Sequence, residues 1–251
     1  MTLAFYDLVT LIFAFFFVAL LYSSVGFGGG SSYLALLALF ISSFFVIRSM
    51  ALICNLIVVT SSSALYYKSG LFRIKAFFPF TLTSIPMAFI AANFRLHERV
   101  FFILLGITLL TGSLALVAQT FLLKSNSKQI TYSHWYSYAI GGGVGLLSGL
   151  VGIGGGIFLA PILNYMRWKE PHQIAALGSF FILVNSLSGI LGLVNSGTFK
   201  ILWPESLLLV IAVFVGGQLG VRLSLIKLSP NSIRLFTALL VFLVGLHVLL
   251  K

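Results

Sequence analysis

Two glycine runs interrupt hydrophobic stretches long enough to cross a bilayer, and they constrain this chain more than anything else in it. The first lies in Ser23-Ser24-Val25-Gly26-Phe27-Gly28-Gly29-Gly30-Ser31-Ser32, inside an apolar run from about Leu8 to Phe45. Each glycine costs about 1 kcal/mol against alanine in a helix interior, so a lipid-facing helix does not carry three in a row without reason. The same feature returns as Ser148-Gly149-Leu150-Val151-Gly152-Ile153-Gly154-Gly155-Gly156. Both copies read Gly-apolar-Gly-Gly-Gly, offset by 126 positions (Gly26 to Gly152). The chain reads as two copies of one unit, each built around a helix that breaks at its glycines.

The surrounding composition names the solvent. Only 8% of the 251 residues are charged, against about 25% in a soluble domain, and mean hydropathy is +1.14. Several runs of about 20 residues lack charge, as membrane-spanning helices require. The expected class is an all-α polytopic membrane protein. Asp7 and the lack of a basic cluster near the N-terminus argue against a cleaved signal peptide, so the first helix is expected to be retained. The single cysteine, Cys54, excludes an intramolecular disulfide and a cysteine-based metal site. Net charge is +11, which in a soluble protein would point to nucleic acid. Here the basic residues stand singly or in small groups at segment ends, where they set orientation, and lipid headgroups are their expected partners rather than nucleic acid.

Apolar segments fall at roughly Phe5–Tyr22, Ser31–Phe45, Arg48–Tyr67, Ala76–Asn93 and Val100–Leu123. After a polar linker come Trp135–Val151, Gly155–Met166, Gln173–Val194, Leu202–Leu223 and Ser232–Leu250. The organisation expected is a first transmembrane repeat over 1–123, a linker over 124–134 and a second repeat over 135–251. The halves match beyond the glycines: Lys68-Ser69-Gly70-Leu71-Phe72 corresponds to Asn195-Ser196-Gly197-Thr198-Phe199.

Charge decides how many segments each half holds. With five, the loops on one side carry Lys68, Arg73, Lys75, Lys124, Lys128, Arg167, Lys169, Arg222, Lys227 and Arg234. The other side carries Arg48, Arg95, Arg99, Lys200 and Lys251. Merging the first two segments of each half removes the bias, so the positive-inside rule favours five. An odd number inserts the second copy upside down. The expected architecture is therefore two inverted repeats of about five segments with helices broken at Gly-Gly-Gly, a plan common among secondary transporters.

A broken helix frees backbone donors that must be buried in protein or line a wet cavity. Helices starting after Gly28-Gly29-Gly30 and Gly154-Gly155-Gly156 would each present unpaired N–H groups and about +0.5 elementary charge. Glycine lets a ligand approach that backbone. Two such ends meeting make an anion site that needs no buried arginine. The competing explanation is that the glycines permit close helix packing. The candidate substrate-binding residues are Gly28, Gly29, Gly30, Gly154, Gly155 and Gly156, the adjoining Ser23, Ser24, Ser31, Ser32 and Ser148, and the in-segment amides Asn55 and Asn185.

The chemistry expected of an enzyme is missing. Asp7, Glu98, Glu170 and Glu205 all fall near segment ends, and His97, His134, His172 and His247 are scattered. No paired-histidine spacing, nucleophile elbow or phosphate loop occurs. No catalytic residue, metal or cofactor is expected. No carboxylate lies mid-segment, where a proton relay would need one.

These motifs resemble a known family. Val25-Gly26-Phe27-Gly28-Gly29-Gly30 and Gly149-Leu150-Val151-Gly152-Ile153-Gly154-Gly155-Gly156-Ile157-Phe158-Leu159-Ala160-Pro161-Ile162-Leu163 are similar to the motifs of the sulfite exporter TauE/SafE family. The first copy departs from the pattern, with Ser32-Tyr33-Leu34-Ala35 where a proline often follows. The resemblance implies a multi-pass inner (plasma) membrane protein that moves a small anion, either sulfite, an organosulfonate or a related sulfur compound, with export the expected direction. The expected partners are that anion and the bilayer, with self-association into a homo-oligomer left open. A membrane-embedded subunit or assembly factor is the alternative, because a partner-binding surface leaves no motif.

Overall fold

The apolar segments form helices because nothing in hydrocarbon other than the chain itself can satisfy their backbone groups. A computed structural model describes residues 4–25, 28–122, 130, 132–223 and 230–250. Among these residues all regular structure is helical: α1 (Phe5–Val25), α2 (Gly30–Phe40), α3 (Phe44–Lys68), α4 (Ile74–Asn93), α5 (Glu98–Leu122), α6 (His134–Val151), α7 (Gly156–Tyr165), α8 (Pro171–Asn195), α9 (Glu205–Leu223) and α10 (Pro230–Leu250). Most of the expected linker, at 124–129 and 131, lies outside the described residues.

Length sorts these helices. α1, α3, α4, α5 and α8 are long and apolar enough to cross a membrane. α2 and α7 have 11 and 10 residues. At 1.5 Å per residue they rise about 16 and 15 Å, half of a hydrocarbon core of about 30 Å. α2 also ends earlier than its hydropathy suggests. The chain leaves the helix at Ile41, which is extended, and re-enters one at Phe44.

α3 and α8 stand at the centre. In their most apolar windows 67% and 61% of residues are buried, against 22% in α1. They pack on each other; α4 lies along α6, α1 along α9, and α5 along α10. The remaining contacts also come in matched sets: α4 with α8 and α9 with α3, α2 with α10 and α7 with α5, α2 with α3 and α7 with α8. Exchanging the first five helices for the last five leaves this pattern of pairings unchanged. The two sets interleave and do not form separate bodies.

Small residues permit the closest of these approaches, as in other membrane bundles. On α6, a side chain at Gly141, Gly145 or Gly149 would strike the α4 backbone at Phe80, Ser84 or Ala88. On α9, Gly216 and Gly220 press on the carbonyls of Phe16 and Leu20 in α1. Gly106, within an unbroken segment, is packed just as tightly: a Cβ there would collide with Leu249 of α10. Gly143, by contrast, has no neighbour within 4 Å.

Candidate functional site

Each glycine run produces the expected break. Gly29 and Gly155 are the N-caps of α2 and α7, with φ of 78° and 85°. L-residues rarely adopt that left-handed region, which accounts for glycine at these two positions. The first N–H groups of both short helices thus emerge at the breaks, without a side-chain cap at either end.

The breaks meet across α3 and α8. Asn55, fully buried in the middle of α3, donates from Nδ2 to the Ile153 carbonyl at 2.9 Å, inside the second break. The same amide abuts the first break. A Cβ added at Gly28 would lie 2.5 Å from Asn55 Oδ1 and 3.2 Å from Ile182 Cγ2. One added at Gly30 would collide with the Asn55 amide and lie 2.6 Å from the Ile153 carbonyl. One added at Gly154 would lie 2.8 Å from both Asn55 Nδ2 and Ile182 Cγ2, and 3.2 Å from Ser186 Oγ. Both glycine runs therefore close on one point, bounded by Asn55 and Val59 of α3 and by Ile182 and Ser186 of α8.

The register of the halves explains this set. Aligning Lys68-Ser69-Gly70 with Asn195-Ser196-Gly197 pairs Asn55 with Ile182 and Val59 with Ser186, each 127 positions apart. Each central helix supplies one polar and one apolar side chain to the junction. Neither Ile182 nor Ser186 stands out in the sequence alone, although the repeat register points to both.

The other candidates lie in different surroundings. Ser23 donates to the Gly217 carbonyl of α9 at 2.8 Å and contacts Ser62 Oγ at 3.5 Å. The side chain of Ser24 is outside the described residues. Ser31 and Ser32 are buried in the first turn of α2, and Ser32 Oγ pairs with Tyr22 OH at 2.7 Å. Ser148 is buried in the last turn of α6, its hydroxyl without a partner. Asn185 turns toward α4, with Nδ2 donating to the Phe181 carbonyl at 2.7 Å and to Ser84 Oγ at 3.1 Å. Gly156 packs on Ile182. The junction is shut: residues 28–32 and 152–156 are buried throughout.

Hydropathy puts Arg48 at a segment boundary, and an anion site made of two helix ends needs no buried arginine. In the structure Arg48 is 0% exposed and is the one buried basic side chain among the described residues. It lies one turn inside α3 because that helix begins at Phe44. Nη2 donates to the Gly149 carbonyl at 2.8 Å and to the Ala92 carbonyl at 3.4 Å, in the last turns of α6 and α4. Each helix C-terminus carries about −0.5 elementary charge, so two of them offset one cation without a carboxylate. Nε and Nη1 have no partner. Gly152, the C-cap of α6, packs within 3.3 Å of the Arg48 Cα once a Cβ is added. The second break thus runs from Arg48 at one end to Asn55 at the other, two helical turns apart along α3. The corresponding residue in the second half, 127 positions on, is Ala175, so the cation belongs to one half alone.

The family model for the sulfite exporter TauE/SafE matches residues 11–248, nearly the whole chain. The chain belongs to the TauE/SafE family. A "probable membrane transporter protein" from Sinorhizobium fredii is 30% identical over 251 residues, covering 97% of this chain and 98% of that relative. Another from Methanocaldococcus jannaschii is 28% identical over 113 residues, 42% of each chain. No solved structure gives a significant match. The protein is a membrane transporter of the TauE/SafE family. Its four acids all sit where helix dipoles favour them: Asp7, Glu98 and Glu205 in first turns and Glu170 as an N-cap. In this TauE/SafE protein no carboxylate lies mid-helix, and no group of three or more His, Cys, Asp or Glu gathers to hold a metal among the described residues.

Proposed function

We propose that this protein carries a small anion, a sulfur oxyanion such as sulfite or an organosulfonate, outward across the cell's inner (plasma) membrane. The observation that carries the reading is the convergence of two glycine-capped helix N-termini on Asn55. Two positive helix ends at one point favour an anion, and the family's description names sulfite export. Arg48, partly unpaired at the far end of the second break, adds a full positive charge near the same route. Because the junction is closed, entry of the anion requires α3 and α8 to part. The two halves, 1–123 and 135–251, are inverted repeats in this reading, and their rocking about the α3–α8 contact exposes the junction to either side.

Energetics fit a facilitator. Moving one negative charge out of a negative interior gains about 2.3 kcal/mol per 100 mV. An exporter of anions therefore needs no coupling ion, and no mid-helix carboxylate is required. The reading involves no cofactor and no nucleic acid, only the anion and the surrounding lipid.

Efflux of sulfite from loaded proteoliposomes, with and without an imposed potential, tests it. Outward flux that accelerates when the interior is negative supports the reading. Monodisperse protein that carries neither sulfite nor an organosulfonate overturns it and favours a non-transporting membrane subunit.

A further inference from the structure

The junction offers a ligand more than helix-end donors. Asn55 is oriented unambiguously, because only Nδ2 can face the Ile153 carbonyl, 2.9 Å away. Oδ1 is therefore turned to the Gly28 side, where it is buried and accepts no hydrogen bond. Ser186 Oγ, beside Gly154, is likewise buried without a partner. An amide oxygen is an acceptor only, while a hydroxyl can both donate and accept. An anion drawn in by two helix ends would thus meet a lone acceptor at close range. If every atom on that side of the anion were also an acceptor, the two would repel, and Oδ1 would stay unsatisfied.

We propose that the anion held at this junction is one that still carries a hydrogen-bond donor: a protonated oxyanion, or a sulfonate bearing a hydroxyl group. This rests on the anion-carrier reading above. The helix N-termini and the Ser186 hydroxyl take the charged oxygens, and the anion's own O–H donates to Asn55 Oδ1. Sites built to hydrogen-bond a ligand group discriminate strongly against analogues lacking it, because the buried partner is left unpaired. The pseudo-equivalent of Asn55 is Ile182, so the two halves contact the anion differently, with the acceptor contributed by α3 alone.

Two pairs of singly charged anions separate donor from charge and shape. Hydrogencarbonate and nitrate are both small and planar, and 2-hydroxyethanesulfonate and ethanesulfonate differ by one hydroxyl. Each is tested near neutral pH against labelled sulfite efflux from proteoliposomes of the full chain, and for its shift of thermal unfolding in detergent. The donor-bearing member of each pair is expected to compete at concentrations at least about tenfold lower than its partner. In Asn55→Leu that ratio falls toward one. In Ser186→Ala all four anions weaken by a similar factor and the ratio survives. Equal competition within both pairs, with efflux intact, overturns the donor requirement and leaves the carrier reading standing. No efflux and no thermal shift with any of the four overturns both. The wild-type comparison decides the matter even if Asn55→Leu does not accumulate.

Discussion

Three glycine-to-alanine substitutions, identical in chemistry, should have three different outcomes. At Gly30 the new methyl meets the Asn55 amide and the Ile153 carbonyl, 2.6 Å away. Backbone in a junction this crowded cannot retreat, so overpacking costs about 1–3 kcal/mol. Displacing Asn55 from Ile153 costs about 0.5–1.5 kcal/mol more. Together Gly30→Ala should destabilise by about 2–4 kcal/mol. At Gly29 the nearest atoms are side-chain atoms of Val18 and Tyr33 at 3.1 and 3.2 Å, which can give way. The cost there is mainly the left-handed backbone, about 1–2 kcal/mol. At Gly143 nothing lies within 4 Å, so alanine should stabilise the helix by about 1 kcal/mol. With about 2–4 °C per kcal/mol for a chain of this size, Gly30→Ala should lower Tm by about 4–16 °C and Gly143→Ala raise it by about 2–4 °C. Thermal unfolding of the purified protein in detergent, followed by tryptophan fluorescence and size-exclusion monodispersity, measures the series. Gly30→Ala as stable as wild type, or less damaging than Gly29→Ala, would refute the packed junction.

Arg48→Gln removes the buried cation but keeps a hydrogen-bonding amide on α3. Membrane abundance should stay near wild type while anion efflux falls at least about tenfold; unchanged efflux would take Arg48 off the route, and loss of the protein would make it a structural cap. Glu98→Gln, Glu170→Gln and Glu205→Gln should each keep substantial flux, because helix dipoles account for these acids without a proton relay; loss of transport at normal abundance in any of them would introduce a coupling carboxylate. Reporter fusions after Lys128 and after Lys251 should report opposite sides of the membrane, and the same side for both would sink the inverted-repeat proposal.

The helices were legible because charge is so rare that most charged residues fall at or near a helix end. The Ser-Gly turns after Lys68 and Asn195 close α3 and α8 where the repeat register put them. The glycine runs were legible as breaks because no unbroken helix has a use for them. What the sequence could not supply was pairing at a distance. The acceptors of Arg48 are 44 and 101 residues away, and they are helix-end carbonyls, which carry no residue signature. From composition alone an arginine at an apolar boundary belongs in the headgroups. The packing at Gly106 is hidden for the same reason: the Leu249 side chain that fills its face belongs to the last helix. Ile182 and Ser186 were hidden differently. One reads as ordinary core and the other as ordinary packing polarity, until both are set against Asn55 and Val59.

The pairing of α1 with α9 sets a timetable for synthesis. Some 200 residues separate the start of α1 at Phe5 from the start of α9 at Glu205. At about 5–20 residues per second, α1 waits about 10–40 s in the bilayer before its main partner is made. Until then it has only lipid and its smaller contacts with α2 and α3. The division of labour between the two helices suits the delay: the glycines that seat the contact, Gly216 and Gly220, are on the late helix, while the early one offers Phe16 and Leu20. A chain interrupted before α9 would leave that surface open in the membrane, where quality-control proteases could recognise it.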